Sequence, residues 1–174
     1  MKADLLVIGC GNEWASDDAV GLQVIRSLKD LDKDKLPDGV ELIEAGTPGL
    51  NLLDLWDRGE RVIIVDAIKS GAAPGTVHSF DASLLPPRDA MPVSSHGVNI
   101  IDAVELGRLL GRLPVQLTVI GVEILSEQPF HVGLTPEVEA AVPRARERVL
   151  EMIRSQESCT PHSFRPGVSP DAEG

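Results

Sequence analysis

Two aspartates and a histidine carry the strongest chemical signal in this chain of 174 residues. Asp18 stands in "GCGNEWASDDAVG", Gly9 to Gly21, directly after an apolar run. Asp66 ends the run Val62–Val65, and His96 follows Ser94-Ser95 where a helix is expected to begin. Two carboxylates and one imidazole suit a borderline divalent ion such as Zn, Ni, Mn or Fe. Three protein ligands leave positions open for water or a substrate group, as a catalytic site requires. A carboxylate closing an apolar strand is costly unless it finds a partner. The structural alternative for Asp66 is an acceptor for the turn over "IKSG". At a helix start the dipole disfavours the imidazolium, and the neutral imidazole is the form that binds metal.

The opening stretch admits other readings. Gly9-x-Gly11 after a strand resembles a dinucleotide fingerprint, but Trp14 occupies the place of the third glycine, and no Gly-Lys-Ser/Thr follows. Two carboxylates at a helix start also repel a bound anion. Ser16, Asp17 and Asp18 read equally as helix caps, with Asp17 the better candidate for that role. Cys10, set between glycines after a strand, is a candidate nucleophile in a cysteine hydrolase that would pair it with His96 and Asp66. Its ordinary reading is a small buried residue. Gly9, Gly11 and Asn12 are expected to shape the turn that delivers Asp18.

These residues need a frame to bring them together. Short apolar runs at "ADLLVIG", "PDGVELIEAG", "RVIIVDA" and "PVQLTVIGVEI" read as strands. Between them, "DDAVGLQVIRSLKDL" and "HGVNIIDAVELGRLL" have helical spacing, the second with Ile100, Ile101, Val104 and Leu109 on its apolar side. "TPGLNLLDLWDRG" is a short helix with Gly59 just past its end. In the last helix Thr135 is the N-cap and Pro136 the first position, with a kink expected at Pro143. The alternation predicts an α/β fold, a three-layer α/β/α sandwich around a mostly parallel twisted sheet of about five strands. Thr76–Phe80 follows a strand without an intervening helix and is the candidate antiparallel edge strand. In such sheets ligands bind beyond the carboxyl ends of the strands. Residues 1–155 are expected to form a single domain, and the proline-broken segment 156–174 a disordered tail.

Composition narrows the classes. A net charge of −11 argues against nucleic acid as a partner. No apolar window is long enough to span a membrane, and no signal peptide is evident. Two cysteines, Cys10 and Cys159, give no disulfide framework, so the expected setting is cytoplasmic.

Five segments in register then point to a family. "VIGCGNEWASDDAVG", "EAGTPGLNLLDL", "VIIVDAIKSGAAPGT", "SSHGVN" and "GLTPEVEAAV" together resemble the hydrogenase maturation endopeptidases, from about Ala3 to about Ile153. The resemblance implies an α/β sandwich and a metal-binding trio that falls on Asp18, Asp66 and His96. It implies cleavage of the C-terminal extension from a nickel–iron hydrogenase large-subunit precursor after nickel insertion. The nickel then belongs to the substrate, and Zn or Cd can take its place in the site. Thr47 and Gly49 are candidates for the peptide cleft, and His131 for a substrate contact. Ala19 departs from relatives with glycine there, a small change. A monomer is expected. The rival from another class is a non-catalytic metal-binding chaperone that docks on the precursor through the same three residues.

Overall fold

The computed structural model describes residues 2–31, 36–84, 100–125 and 129–157. Five strands form one sheet in the order β2-β1-β3-β5-β4: β1 (Ala3–Cys10), β2 (Val40–Gly46), β3 (Gly59–Ile68), β4 (Val77–Asp81) and β5 (Gln116–Glu123). The pairs β1–β2, β1–β3 and β3–β5 are parallel, and β4 runs antiparallel along β5. The edge strand expected at Thr76–Phe80 is therefore present, one residue later.

The parallel strands are apolar on both faces because helices cover both. Leu5, Val7, Ile63, Val65, Ile120 and Val122 pack under α1 (Val20–Lys29), α4 (Pro136–Glu139) and α5 (Val142–Glu157). Their alternate neighbours Leu6, Ile8, Cys10, Val62, Ile64 and Leu117 pack under α2 (Leu52–Trp56) and α3 (Ile100–Leu110). This is the expected three-layer sandwich, with a core that is almost wholly aliphatic around one large ring, Trp56. No described helix is long and apolar enough to cross a membrane.

Three local expectations are corrected. Gly59 follows the end of α2 as expected but is no helix cap: it already opens β3 opposite Ala3, where a Cβ would press on Leu6. Leu109 is exposed, and Ala103, Val104 and Gly107 form the buried stripe of α3. Gly107 is in that stripe because a larger residue would meet the Trp56 ring. Pro143 kinks nothing: the chain breaks earlier, between α4 and α5, and Pro143 lies in the first turn of α5, where no hydrogen bond is lost. Thr135 and Pro136 hold the N-cap and first positions of α4 as expected. Helix α5 continues to Glu157, past the expected boundary at 155, and the remainder of the 156–174 segment lies outside the described residues.

Candidate active site

The carboxyl ends of β1, β2, β3 and β5 share one edge, and glycines set how closely the chain folds over it. A Cβ on Gly9 would overlap the Gly21 carbonyl, and one on Gly21 would overlap the carbonyls of Cys10 and Val65. Helix α1 therefore rests directly on β1 and β3. The close helix–strand contact that Trp14 could not provide is made instead by Gly21. Gly11, at φ +134, has the Asp18 carbonyl where a Cβ would go. Its N–H donates to the Gly46 carbonyl at 2.8 Å, tying this turn to the end of β2.

Asp18 is carried on the short 3-10 turn Ser16–Ala19 that leads into α1. Its Oδ2 accepts the backbone N–H of Asn12 at 2.7 Å, and the Asn12 Oδ1 accepts the Trp14 N–H at 3.0 Å. Asn12 thus shapes the turn, as expected, and also fixes one oxygen of Asp18.

Asp17 does something else. It is buried, and no side chain caps either the 3-10 turn or α1. Its carboxylate instead accepts the backbone N–H and hydroxyl of Thr135, at 2.6 and 3.0 Å. The expected capping role at its own helix gives way to a clip on α4. Neighbouring bonds complete that clip: Ser16 N–H donates to the His131 carbonyl at 2.8 Å, and Ser16 Oγ to the Gly133 carbonyl at 3.0 Å. Ala15 and His131 pair as a parallel bridge. His131 is thus brought to the same edge as Asp18, as its place in the sequence suggested.

Asp66 extends β3 one position past Val65, which lies opposite Gly9. Strand alternation puts it on the face of Val62 and Ile64, the face that also takes Cys10. Its Oδ1 accepts the N–H of Ala67 at 2.9 Å, a local bond of the kind the turn reading anticipated. Cys10 is 4% exposed. Burial pushes its thiol well above the usual value, and the carboxylates of Asp66 and then Asp18 push it further. Both aspartates therefore act on one buried thiol. A cysteine nucleophile needs accessibility and a lowered pKa. Cys10 has neither.

Thr47 and Gly49 follow the end of β2 on the same edge, Thr47 exposed and Gly49 at φ +54 opening a short 3-10 turn. That turn packs against α3. His96, with Ser94, Ser95 and Glu127, lies outside the described residues. Among the described residues, no three His, Cys, Asp or Glu side chains come together as a metal ligand set.

Glu123, at the end of β5, has a structural role that its position in the sequence does not reveal. It is buried, yet accepts the Ser70 N–H and hydroxyl, both at 2.7 Å, and the Gly71 N–H at 2.8 Å. It anchors the turn that leaves β3 after Asp66. The available signal was the same as for Asp66, a carboxylate closing an apolar strand.

Comparison with known proteins matches this architecture to one family. The family described as hydrogenase maturation protease matches residues 22–152. The hydrogenase 2 maturation protease of Escherichia coli strain K12 is 36% identical over 86% of this chain and 90% of its own. The coenzyme F420 hydrogenase subunit delta of Methanothermobacter thermautotrophicus is 33% identical over 87% of this chain and 95% of its own. The solved structure of the hydrogenase maturating endopeptidase HybD from E. coli superposes with a TM-score of 0.74 at 35% identity, covering 90% of this chain and 94% of that one. A family match over most of the chain, and a fold shared with a solved maturating endopeptidase at 35% identity, carry the conclusion: this chain belongs to the hydrogenase maturation proteases, and is a hydrolase of peptide bonds.

Proposed function

We propose that this protease removes the C-terminal extension of a nickel–iron hydrogenase large-subunit precursor once nickel has been inserted. Asp18, Asp66 and His96 recognise the metal carried by that substrate. The observation that carries the reading is that Asp18, in the turn after β1, and Asp66, near the end of the adjacent β3, stand at the same carboxyl edge of the sheet, where the charges of both oppose ionisation of the buried Cys10 thiol. Two carboxylates at one strand edge are a setting in which a divalent cation is favoured. His96 supplies the nitrogen donor that makes the set suit nickel. Support for its place comes from α3, which ends shortly before β5 begins at the opposite edge. The start of α3 is thereby directed to the carboxyl edge, and His96 stands shortly before it in sequence. With nickel absent, Zn or Cd is the expected substitute ligand. The precursor is spared until loaded because the carboxylates have nothing to grip. The attacking group is a water, polarised by the bound metal or deprotonated by one carboxylate.

The test is to delete the gene in its host and size each hydrogenase large subunit, then complement with wild type, Asp18→Asn or Asp66→Asn. Wild type restores the shortened subunit, and either variant leaves it at precursor length while remaining folded. Full processing by either variant would remove the assigned roles. An intact precursor after incubation of the nickel-loaded form with wild-type protein would favour the chaperone alternative.

A further inference from the structure

The chain has only two tryptophans and three phenylalanines. Trp56 is fully buried, but Trp14 is 64% exposed and Phe130 is 96% exposed. Val132, beside Phe130, is 63% exposed. These residues are distant in sequence, yet the Ala15–His131 parallel bridge joins the segment that carries Trp14 to the segment that carries Phe130 and Val132, each one residue from the bridge. The bridge is locked by Ser16 and Asp17, through their bonds to His131, Gly133 and Thr135. Among the described residues the two non-glycine positions with positive φ are Ser16, at +52, and Phe130, at +64. Both lie in this clip. Strained backbone held by surrounding bonds marks functional segments more often than passive ones. The one charged residue next to Trp14, Glu13, is paired with Arg26 at 2.7 Å, which lowers the charge at the loop tip.

We infer that Trp14, Phe130 and Val132 form a rigid apolar docking rim for the folded hydrogenase large-subunit precursor, seated on the surface that surrounds its nickel. The inference rests on the proposed function and names how that substrate is held. Reach selects the occupant. A carboxylate–metal bond is about 2 Å long, and aspartate has a short side chain. A metal embedded in another protein can meet Asp18 only if that protein's surface abuts the loop carrying it. Trp14 is in that loop, and Asn12 links it to Asp18: the Asn12 N–H binds the carboxylate, and the Asn12 side chain binds the Trp14 N–H. Exposed tryptophan and phenylalanine on a preorganised loop are the residue types that dominate binding energy at protein interfaces.

The experiment is single-turnover cleavage of nickel-loaded precursor at rising enzyme concentration, for wild type, Trp14→Ala, Trp14→Phe and Phe130→Gly. Glycine at 130 removes the ring without adding backbone strain. The half-saturating concentration should rise about tenfold or more for Trp14→Ala and Phe130→Gly, with Trp14→Phe in between. The cleavage rate at saturation should stay within about twofold of wild type, since the rim binds the substrate and does not touch the scissile bond. Thermal unfolding of each variant confirms that the fold is kept. If wild type cuts the precursor and the variants saturate at the same concentration, the rim is not the docking surface, and the proposed function stands. If wild type leaves nickel-loaded precursor uncut, the proposed function fails first. Sedimentation of the same samples decides a third outcome: a wild-type dimer that Trp14→Ala dissociates without moving the half-saturation point assigns the rim to self-association and overturns the inference.

Discussion

Asp17 holds Thr135 with both carboxylate oxygens, one on its backbone N–H and one on its hydroxyl. This contact fastens the turn that carries Asp18 to the start of α4. The bonds are charge-assisted, and the carboxylate is almost wholly buried. Replacing it with alanine leaves a backbone donor without its acceptor. Asp17→Ala should lose about 2–4 kcal/mol of stability. A lower urea midpoint with unchanged slope measures it. Asp17→Asn keeps the shape and one acceptor and should lose about half as much. A variant as stable as wild type would mean the bonds to Thr135 contribute nothing net.

The second prediction concerns Cys10. Its thiol is buried and its ionisation opposed by Asp66 and Asp18, so the folded pKa lies well above the usual value. Iodoacetamide at neutral pH should leave the Cys10 peptide unmodified until urea unfolds the chain, and Cys10→Ala should still process precursor. The sign of the pH dependence follows from linkage. Above about pH 8.5, the value of a free thiol, the unfolded chain releases a proton that the folded chain retains. The Cys10 contribution to stability is therefore unaffected below that pH and falls as pH rises beyond it. Cys10→Ala should flatten that decline. Rapid alkylation of the native protein with loss of activity would restore the cysteine-hydrolase alternative.

How much of this was legible in the sequence depends on the range of each interaction. The parallel strands were legible because burial on both faces leaves continuous apolar runs such as Val62–Val65. Asp18 and Asp66 were legible as candidates because each follows a strand on the edge where such sheets bind ligands. The contact of Asp17 with Thr135 was not, because it joins residues far apart in the chain and leaves no periodic trace. Asp17 and Asp18 look alike locally, and only tertiary structure separates the clip from the candidate ligand. Gly21 reads as an ordinary small residue until a helix is laid on β1. The exposure of Trp14 and Leu109 was equally hidden, since apolar type alone says nothing about which surface a partner covers.

Gly21 gives a third prediction. A Cβ there would run into backbone carbonyls of both β1 and β3, neither of which can rotate away. Gly21→Ala should lift α1 from the sheet and lower stability by about 2–4 kcal/mol. Asp18 lies in the turn leading into that helix, so processing should fall as well, even at temperatures where the variant is folded. Gly46→Ala is the control. Its Cβ would meet nothing, and only the φ of +63 opposes it, at about 1–2 kcal/mol. Circular-dichroism melts of the two variants provide the comparison. Equal losses would mean that close packing at Gly21 is not what limits the site.

Glu123 gives the last. Its carboxylate lies fully inside the protein and receives three hydrogen bonds from Ser70 and Gly71. His78 Nε2, on the neighbouring edge strand, stands 3.7 Å from Oε2, beyond hydrogen-bond range. The turn over Ser70 and Gly71 thus depends on Glu123 itself. Glu123→Ala should cost about 1–3 kcal/mol, because it takes one acceptor group from three donors at once, while the exposure of Ser70 and Gly71 lets water replace part of what is lost. Glu123→Gln keeps the volume but turns an amide N–H₂ towards groups that donate, so it should recover only part of that loss. The turn follows the strand that presents Asp66, so loosening it should also raise local hydrogen exchange at residues 69–71 before global unfolding is reached. Hydrogen-exchange mass spectrometry on Glu123→Gln tests this directly. Exchange in that turn matching wild type would show that the backbone of β3 and β4 holds it without the carboxylate, leaving Glu123 a packing residue only.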